Sequence, residues 1–163
     1  LRLTVPIGEV YNRSFAAHSD FCPLSPHELE GLARALLRVT HPSLIKILFY
    51  DGKVAGFLFA FPDLSAALQR GGGRLGLRQI LDLRAEAGRT DMLIVNGAGI
   101  LPEYQKLGGN GLLYHELIRG VMASAFQRVE MVQIAETTDL MLADMETLGG
   151  RIYKTHRIYR KEL

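Results

Sequence analysis

At 163 residues with 48% hydrophobic content, the chain is long enough for one domain with its own core. Its net charge of +2 is mixed along the sequence apart from a basic cluster at 151–161, which excludes nucleic acid as the main partner. One cysteine, Cys22, excludes a disulfide framework and a cysteine-based metal site, and no apolar run reaches membrane-spanning length.

No signal-peptide pattern opens the chain, so it reads as a cytoplasmic protein with no membrane partner. The first residue is Leu1 rather than Met, which reads as a fragment of a longer protein. Residues 1–7 suit the tail of a strand or a linker. A short helix is expected over 9–17, with Val10, Phe15 and Ala16 as core contacts. After a loop, Ser25 and Pro26 supply an N-cap and a proline at the first helical position, with Glu28 in the capping-box place. Leu29, Leu32, Ala33, Leu36 and Leu37 form the apolar face of that helix, which stops before His41-Pro42.

Residues 44–50 and 53–61 are two β-rich runs joined by Asp51-Gly52, a strong hairpin signal. Residues 63–90 contain a helical turn, the break Gly71-Gly72-Gly73, and a second amphipathic segment through Leu77, Ile80, Leu81 and Leu83. They read as an insertion, either a lid on the substrate side or inert packing. A strand follows over 91–101, in which Asn96-Gly97-Ala98-Gly99 is poor strand material and marks a bulge or a close backbone approach. A glycine-rich loop then leads into a helix over 111–126, with Leu112, Leu113, Leu117, Ile118 and Val121 at helical spacing. The next strand spans 129–136. Thr137-Thr138-Asp139 starts a helix with Leu142, Met145 and Leu148 as its buried stripe and Gly149-Gly150 as its C-cap. Residues 152–159 alternate like a final strand. There are no internal repeats.

The loop Gln105-Lys106-Leu107-Gly108-Gly109-Asn110-Gly111 lies between a strand and a helix. Glycine lets backbone N–H groups approach a ligand, and a helix N-terminus adds unpaired donors and partial positive charge, so the loop suits phosphate oxygens. It lacks the Gly-Lys-Ser/Thr ending of a nucleotide P-loop and the spacing of a dinucleotide fold. With Ile100-Leu101-Pro102-Glu103-Tyr104 before it, the stretch resembles the pyrophosphate motif of the GNAT superfamily of acyl-CoA-dependent N-acyltransferases. The hairpin with Gly56 and the Leu-Gly-Gly ending after the last helix agree. Pro62-Asp63-Leu64 and Tyr153-Lys154 with Arg157-Ile158-Tyr159 resemble a poorly characterised subgroup.

The resemblance implies a single α/β (α+β) domain: a mixed, mostly antiparallel sheet flanked by helices. The sheet would splay between its fourth strand (91–101) and its fifth (129–136). It implies an enzyme that moves an acetyl or other acyl group from coenzyme A to a primary amine of a small molecule or peptide. Acetyl-CoA or acyl-CoA would be the co-substrate, without metal, and a homodimer is compatible. Cofactor contacts would come from Gly99, Ile100, Leu101, Gln105, Lys106, Leu107, Gly108, Gly109, Asn110, Gly111 and Thr138.

The chemistry needs donors for the carbonyl oxygen, a base for the amine and a proton for the thiolate. The family's customary tyrosine acid falls on Met145, which cannot donate a proton, and its strand glutamate falls near Asn96. Glu136 is the substitute base, its other reading a structural ion pair, and Tyr114 is the remaining acid candidate, its other reading core packing. His18, Asp20 and Asp63 would lie on the acceptor side or serve turns, and His115 reads as solvated. The alternatives are a catalytically silent acyl-CoA-binding domain, a transferase using longer acyl-CoA or acyl-carrier donors, and an unrelated nucleotide binder.

Overall fold

The Asp51-Gly52 hairpin forms as the sequence predicts. β1 (Ile45–Tyr50) and β2 (Lys53–Pro62) pair antiparallel. Asp51 and Gly52 take φ of 47° and 75°, the left-handed pair that lets a two-residue turn follow the strand twist. The structure, a computed structural model, describes residues 3–17, 21–74, 76–157, 159 and 161. It divides into two compact units, Leu1–Val132 and Gln133–Leu163.

In the first unit β3 (Met92–Ile100) runs antiparallel to β2, and β4 (Arg128–Met131) lies parallel to β3. The sheet order is β1-β2-β3-β4. This is the expected mixed, mostly antiparallel sheet, β3 and β4 being the fourth and fifth strands of the sequence reading. β4 is shorter than the predicted 129–136 because Gln133 adopts φ 59°, which turns the backbone out of the extended region.

The first unit holds five α-helices among the described residues. α1 (Thr4–Phe15) begins earlier than expected, so residues 4–7 are helix rather than strand tail or linker. The reason is its stripe: Ile7, Val10, Tyr11 and Phe15 recur at helical spacing and pack on Phe57, while Ala16 is exposed. α2 (Pro26–Val39) has the predicted capping box, Glu28 Oε2 accepting from the Ser25 N–H at 2.8 Å. Its apolar face is only half used, with Leu29, Ala33 and Leu36 half-buried and Leu32 and Leu37 exposed.

The insertion folds into α3 (Ser65–Arg70) and α4 (Leu77–Ala87), which pack on each other. α5 (Gly109–Met122) starts two residues before the predicted helix. Leu58, Leu93 and Val95 from the sheet and Leu113, Tyr114 and Leu117 from α5 form the main core. Burial of this apolar surface stabilises the sandwich of helix on sheet by about 25 cal/mol per Å².

In the second unit α6 (Asp139–Thr147) ends as predicted, with Gly149 at φ 75° and its N–H, with that of Gly150, returned to Glu146 and Met145 carbonyls. The buried stripe expected on it is not observed: Leu142 and Met145 are half-buried and Leu148 is exposed. Residues 151–157 form no strand and are all exposed. Alternation along Ile152–Arg157 has no ladder among the described residues to pair with, and without one an extended segment gains neither hydrogen bonds nor a covered face. Ile158 and Arg160 lie outside the described residues, as do His18 and Asp20 of the acceptor-side reading.

Candidate functional site

β3 is the element around which the candidate residues gather. Its register against β2 slips between Leu58↔Ala98 and Ala60↔Val95, so Phe59 faces both Asn96 and Gly97. Gly97 takes φ 131°, open to glycine but not to a side chain. This is the bulge the sequence predicts.

On its other edge β3 pairs with β4 only from Met92↔Arg128 to Val95↔Met131. The Val132 N–H to Val95 carbonyl bond, 3.1 Å, closes that ladder. Beyond it β3 continues through Ile100 while β4, paired along its whole length, has ended, so the expected splay of the two strands is not seen and that edge of β3 carries no strand among the described residues.

Pairing with β2 decides which amides face the open edge. Successive residues of a strand point their amides to opposite sides. Leu101 gives its N–H to the Ala55 carbonyl at 2.9 Å on the β2 side, and Gly99, two residues back opposite Phe57, points the same way. Ile100 and Ala98 therefore face the open edge. Of the three backbone donors expected from sequence, Ile100 faces the open edge and Leu101 is committed to β2. Ala98 is a donor the sequence reading missed; only the register against β2 reveals it.

The Ile100 carbonyl, on that same edge, accepts from Gln105 Nε2 at 3.1 Å. Gln105 thus braces the strand end. After the short 3-10 turn Pro102–Tyr104, Lys106 adopts φ 62° and Gly108 φ 83°. A left-handed residue followed by a right-handed one turns neighbouring N–H groups into one concavity. The first intrahelical bond of α5 runs from Leu112 to the Gly108 carbonyl at 3.2 Å, so the amides of Gly109, Asn110 and Gly111 precede the ladder. Gln105, Lys106, Leu107, Gly108, Asn110 and Gly111 are exposed, and Gly109 is buried. A Cβ on Gly109 would stand 2.7 Å from Leu48 Cδ2 and 2.9 Å from Ile100 Cδ1. The helix start therefore rests directly on the end of β3.

The remaining candidates are dispersed. Tyr114 is 6% exposed among Leu44, Leu58 and Leu93, in the packing role. Asn96 and His115 are exposed. Asp63 accepts from the Ser65 N–H at 2.9 Å, shaping the turn into α3. In the second unit Glu136 accepts from Arg157 Nη1 at 2.7 Å, both exposed. Thr138 is the N-cap of α6, without a side-chain cap bond.

Two side chains of α1 were not singled out from sequence. Ser14 Oγ is buried with no hydrogen-bond partner and lies 3.0 Å from where a Cβ on Gly99 would be. Arg13 pairs with Glu103 at 3.0 Å. The Glu103 carboxyl is held below its ordinary value chiefly by its own backbone N–H, which outweighs the opposing effect of burial, with Arg13 adding to the lowering. A serine or an arginine on a helix carries no sequence signal for such contacts, because they depend on α1 crossing β3.

No family model matches the chain. It is 24% identical over 164 residues to the bacterial ceramide synthase of Caulobacter vibrioides (strain NA1000 / CB15N). It is 25% identical over 163 residues to protein YghO of Escherichia coli (strain K12). Each alignment takes in 96% of this chain but 42% of the relative, so the chain spans less than half the length of these curated relatives.

Among solved structures, the aminoglycoside N-acetyltransferase AAC(6')-Iy in complex with CoA superposes with a TM-score of 0.65. It is 13% identical, over 99% of this chain and 90% of that one. A GNAT family acetyltransferase from Brucella melitensis in complex with acetyl-CoA gives 0.56 and 15%, over 86% and 75%. The chain has the GNAT fold.

Proposed function

We propose that this chain is the acyltransferase domain of a GNAT-type enzyme, moving an acyl group from coenzyme A to a primary amine. The observation that carries the reading is the edge of β3 left without a partner strand past Val95 beside a bulge, with the first turn of α5 resting on the end of β3. The pantetheine arm lies along the uncovered edge of β3 past Val95. The diphosphate takes the amides of 106–111, where helix-end donors and partial positive charge favour an anion.

In the reaction the amine nitrogen attacks the thioester carbonyl, the C–N bond forms, and the oxygen becomes an oxyanion. The Ile100 and Ala98 amides are the donors for that oxygen. The tetrahedral intermediate collapses with cleavage of the C–S bond, and the amine loses a proton while the thiolate gains one. Met145 stands where the family's acid would be and cannot supply that proton, and Tyr114 is enclosed in the core, so water carries it to the sulfur. Glu136, the base candidate from sequence, is paired with Arg157 within its own unit.

A second reading concerns substrate class. A relative named a ceramide synthase, matched over nearly all of this chain, favours a long acyl donor and a lipid amine acceptor over an acetyl group and a small amine. The test follows free thiol release from acetyl-CoA and from palmitoyl-CoA with amino acids, polyamines and sphinganine. Turnover with palmitoyl-CoA and sphinganine alone supports the lipid reading, and turnover with acetyl-CoA and a water-soluble amine supports the small-molecule one. Silence throughout, with CoA still bound, reduces the domain to an acyl-CoA binder. Gly108→Asp places negative charge beside the diphosphate and is expected to weaken CoA binding about tenfold, roughly 1.4 kcal/mol; unchanged affinity in calorimetry would overturn the site.

A further inference from the structure

α4 faces the wrong way for a helix of a water-soluble domain. Its Gln79, Asp82 and Glu86 side chains turn toward the protein. Arg70 of α3 donates from Nη2 to Asp82 at 2.9 Å and also reaches Glu86, and Gln79 Nε2 donates to the Ala67 carbonyl at 2.6 Å. The Asp82 and Glu86 side chains retain only 28% and 16% exposure. Leu77, Ile80 and Leu81, one stripe by their i, i+3, i+4 spacing, point outward at 85%, 45% and 65%. The usual arrangement buries the apolar stripe and wets the charges.

The charge around the stripe says what covers it. Arg84 continues the same face one turn on, Arg78 borders it, and Arg74 precedes it; all three are exposed. Residues 70–90 hold five arginines against two carboxylates, a net +3, and both carboxylates are turned inward onto Arg70. An isologous contact with a second copy would set these arginines against each other. Leucines ringed by arginines suit the headgroup region of an anionic bilayer, where apolar side chains enter the acyl boundary and guanidinium groups meet phosphates.

We propose that α4 docks this domain on an anionic lipid surface. Composition argued against a membrane partner because no segment can cross a bilayer. Indeed no helix among the described residues is long and apolar enough to do so, but lying on the interface needs only the three exposed side chains and their cationic rim. The orientation also leaves the CoA loop accessible: α4 leads into the Met92 end of β3, and residues 106–111 lie at its Ile100 end. Docking is read by binding alone, so it stands or falls apart from acyl transfer.

The sequence contains no tryptophan, so a single introduced one reports cleanly. Leu77→Trp in the whole 163-residue chain is titrated with vesicles of phosphatidylcholine, with and without about one-third phosphatidylglycerol. Tyr50→Trp, paired with Lys53 at the turn end of the β1–β2 hairpin, is the control. The expected result is a blue-shifted emission for Leu77→Trp on phosphatidylglycerol vesicles only, with no shift for the control. Leu81→Glu or Arg74→Glu with Arg78→Glu, added to Leu77→Trp, should lower the apparent affinity about tenfold, and circular dichroism checks that each variant is folded. If Leu77→Trp does not fold, pelleting of the unaltered chain against Arg74→Glu with Arg78→Glu gives the same comparison. Absence of binding, equal binding to both vesicle types, or indifference to these substitutions would overturn the proposal. So would a dimer in sedimentation velocity that the Leu81→Glu substitution dissolves, which assigns the face to a second copy.

Discussion

Gly108 and Gly109 are adjacent and do different work. Gly108 sits at φ 83° with open space around its Cα, so a methyl group there meets no neighbour and only the backbone conformation resists it, at roughly 1–2 kcal/mol. Gly109 has ordinary helical geometry, but its Cβ would run into Leu48 and Ile100. Gly109→Ala must lift α5 off the sheet, with an expected loss of about 1–3 kcal/mol and a weaker grip on CoA. Gly108→Ala should leave CoA affinity nearly intact beside its strain. Thermal melts and calorimetric titrations of the two variants side by side check both statements; equal CoA affinities in the pair would refute the wedge. Sequence told that this loop holds glycines at a strand–helix junction. It could not tell which glycine supplies conformation and which supplies room, because the second depends on side chains from β1 and β3.

Among the elements, those with local signals were legible: the Asp51-Gly52 hairpin, the Ser25–Glu28 capping box, the bulge around Gly97 and the Gly149 helix stop. Each is written in residues close in sequence. Ser25→Ala removes the hydroxyl of the α2 cap, and a loss of about 1 kcal/mol is expected, to be read as a lower urea midpoint at unchanged slope; an unaltered midpoint would show that the cap is idle. Elements misread from sequence are those decided by distant partners. Thr4–Ile7 is helical because Ile7 joins Val10 and Tyr11 against Phe57. Residues 152–157 alternate correctly and still form no strand, since alternation supplies a face and not a neighbour. α4 is amphipathic as expected, yet its period could not say which side faces in; Arg70, twelve residues before Asp82, settles that.

For the whole molecule, acid is the expected weakness. Hydrogen bonding holds the Asp82 and Asp91 carboxyls below the ordinary 3.8, through Arg70 and Arg128. The Glu28 and Glu103 carboxyls are held below 4.5, through Ser25 and the Glu103 backbone N–H in turn. In the unfolded chain these groups return to their ordinary values and bind more protons at a given acidic pH. Their contribution is therefore complete above about pH 5 and is lost as the pH falls through the depressed folded-state values. Melting temperatures should hold between pH 7 and 5 and decline below, and Asp91→Asn should flatten part of the decline; a profile that the substitution leaves unchanged would remove the Asp91–Arg128 pair from the account.

The extra residue at Asn96–Gly97 has one more consequence, for evolution rather than for stability. A strand hydrogen-bonded along both edges has no donor to offer a substrate. Deleting one residue at this spot would restore a regular β2–β3 ladder in which Ala98 and Ile100 still face the open edge, so the loss would be the local bend and added twist of β3 and not the direction of its amides. Because Gly97 sits at φ 131°, residue identity there is constrained together with length, and homologues that keep the bulge should keep a glycine at this position while Asn96 varies.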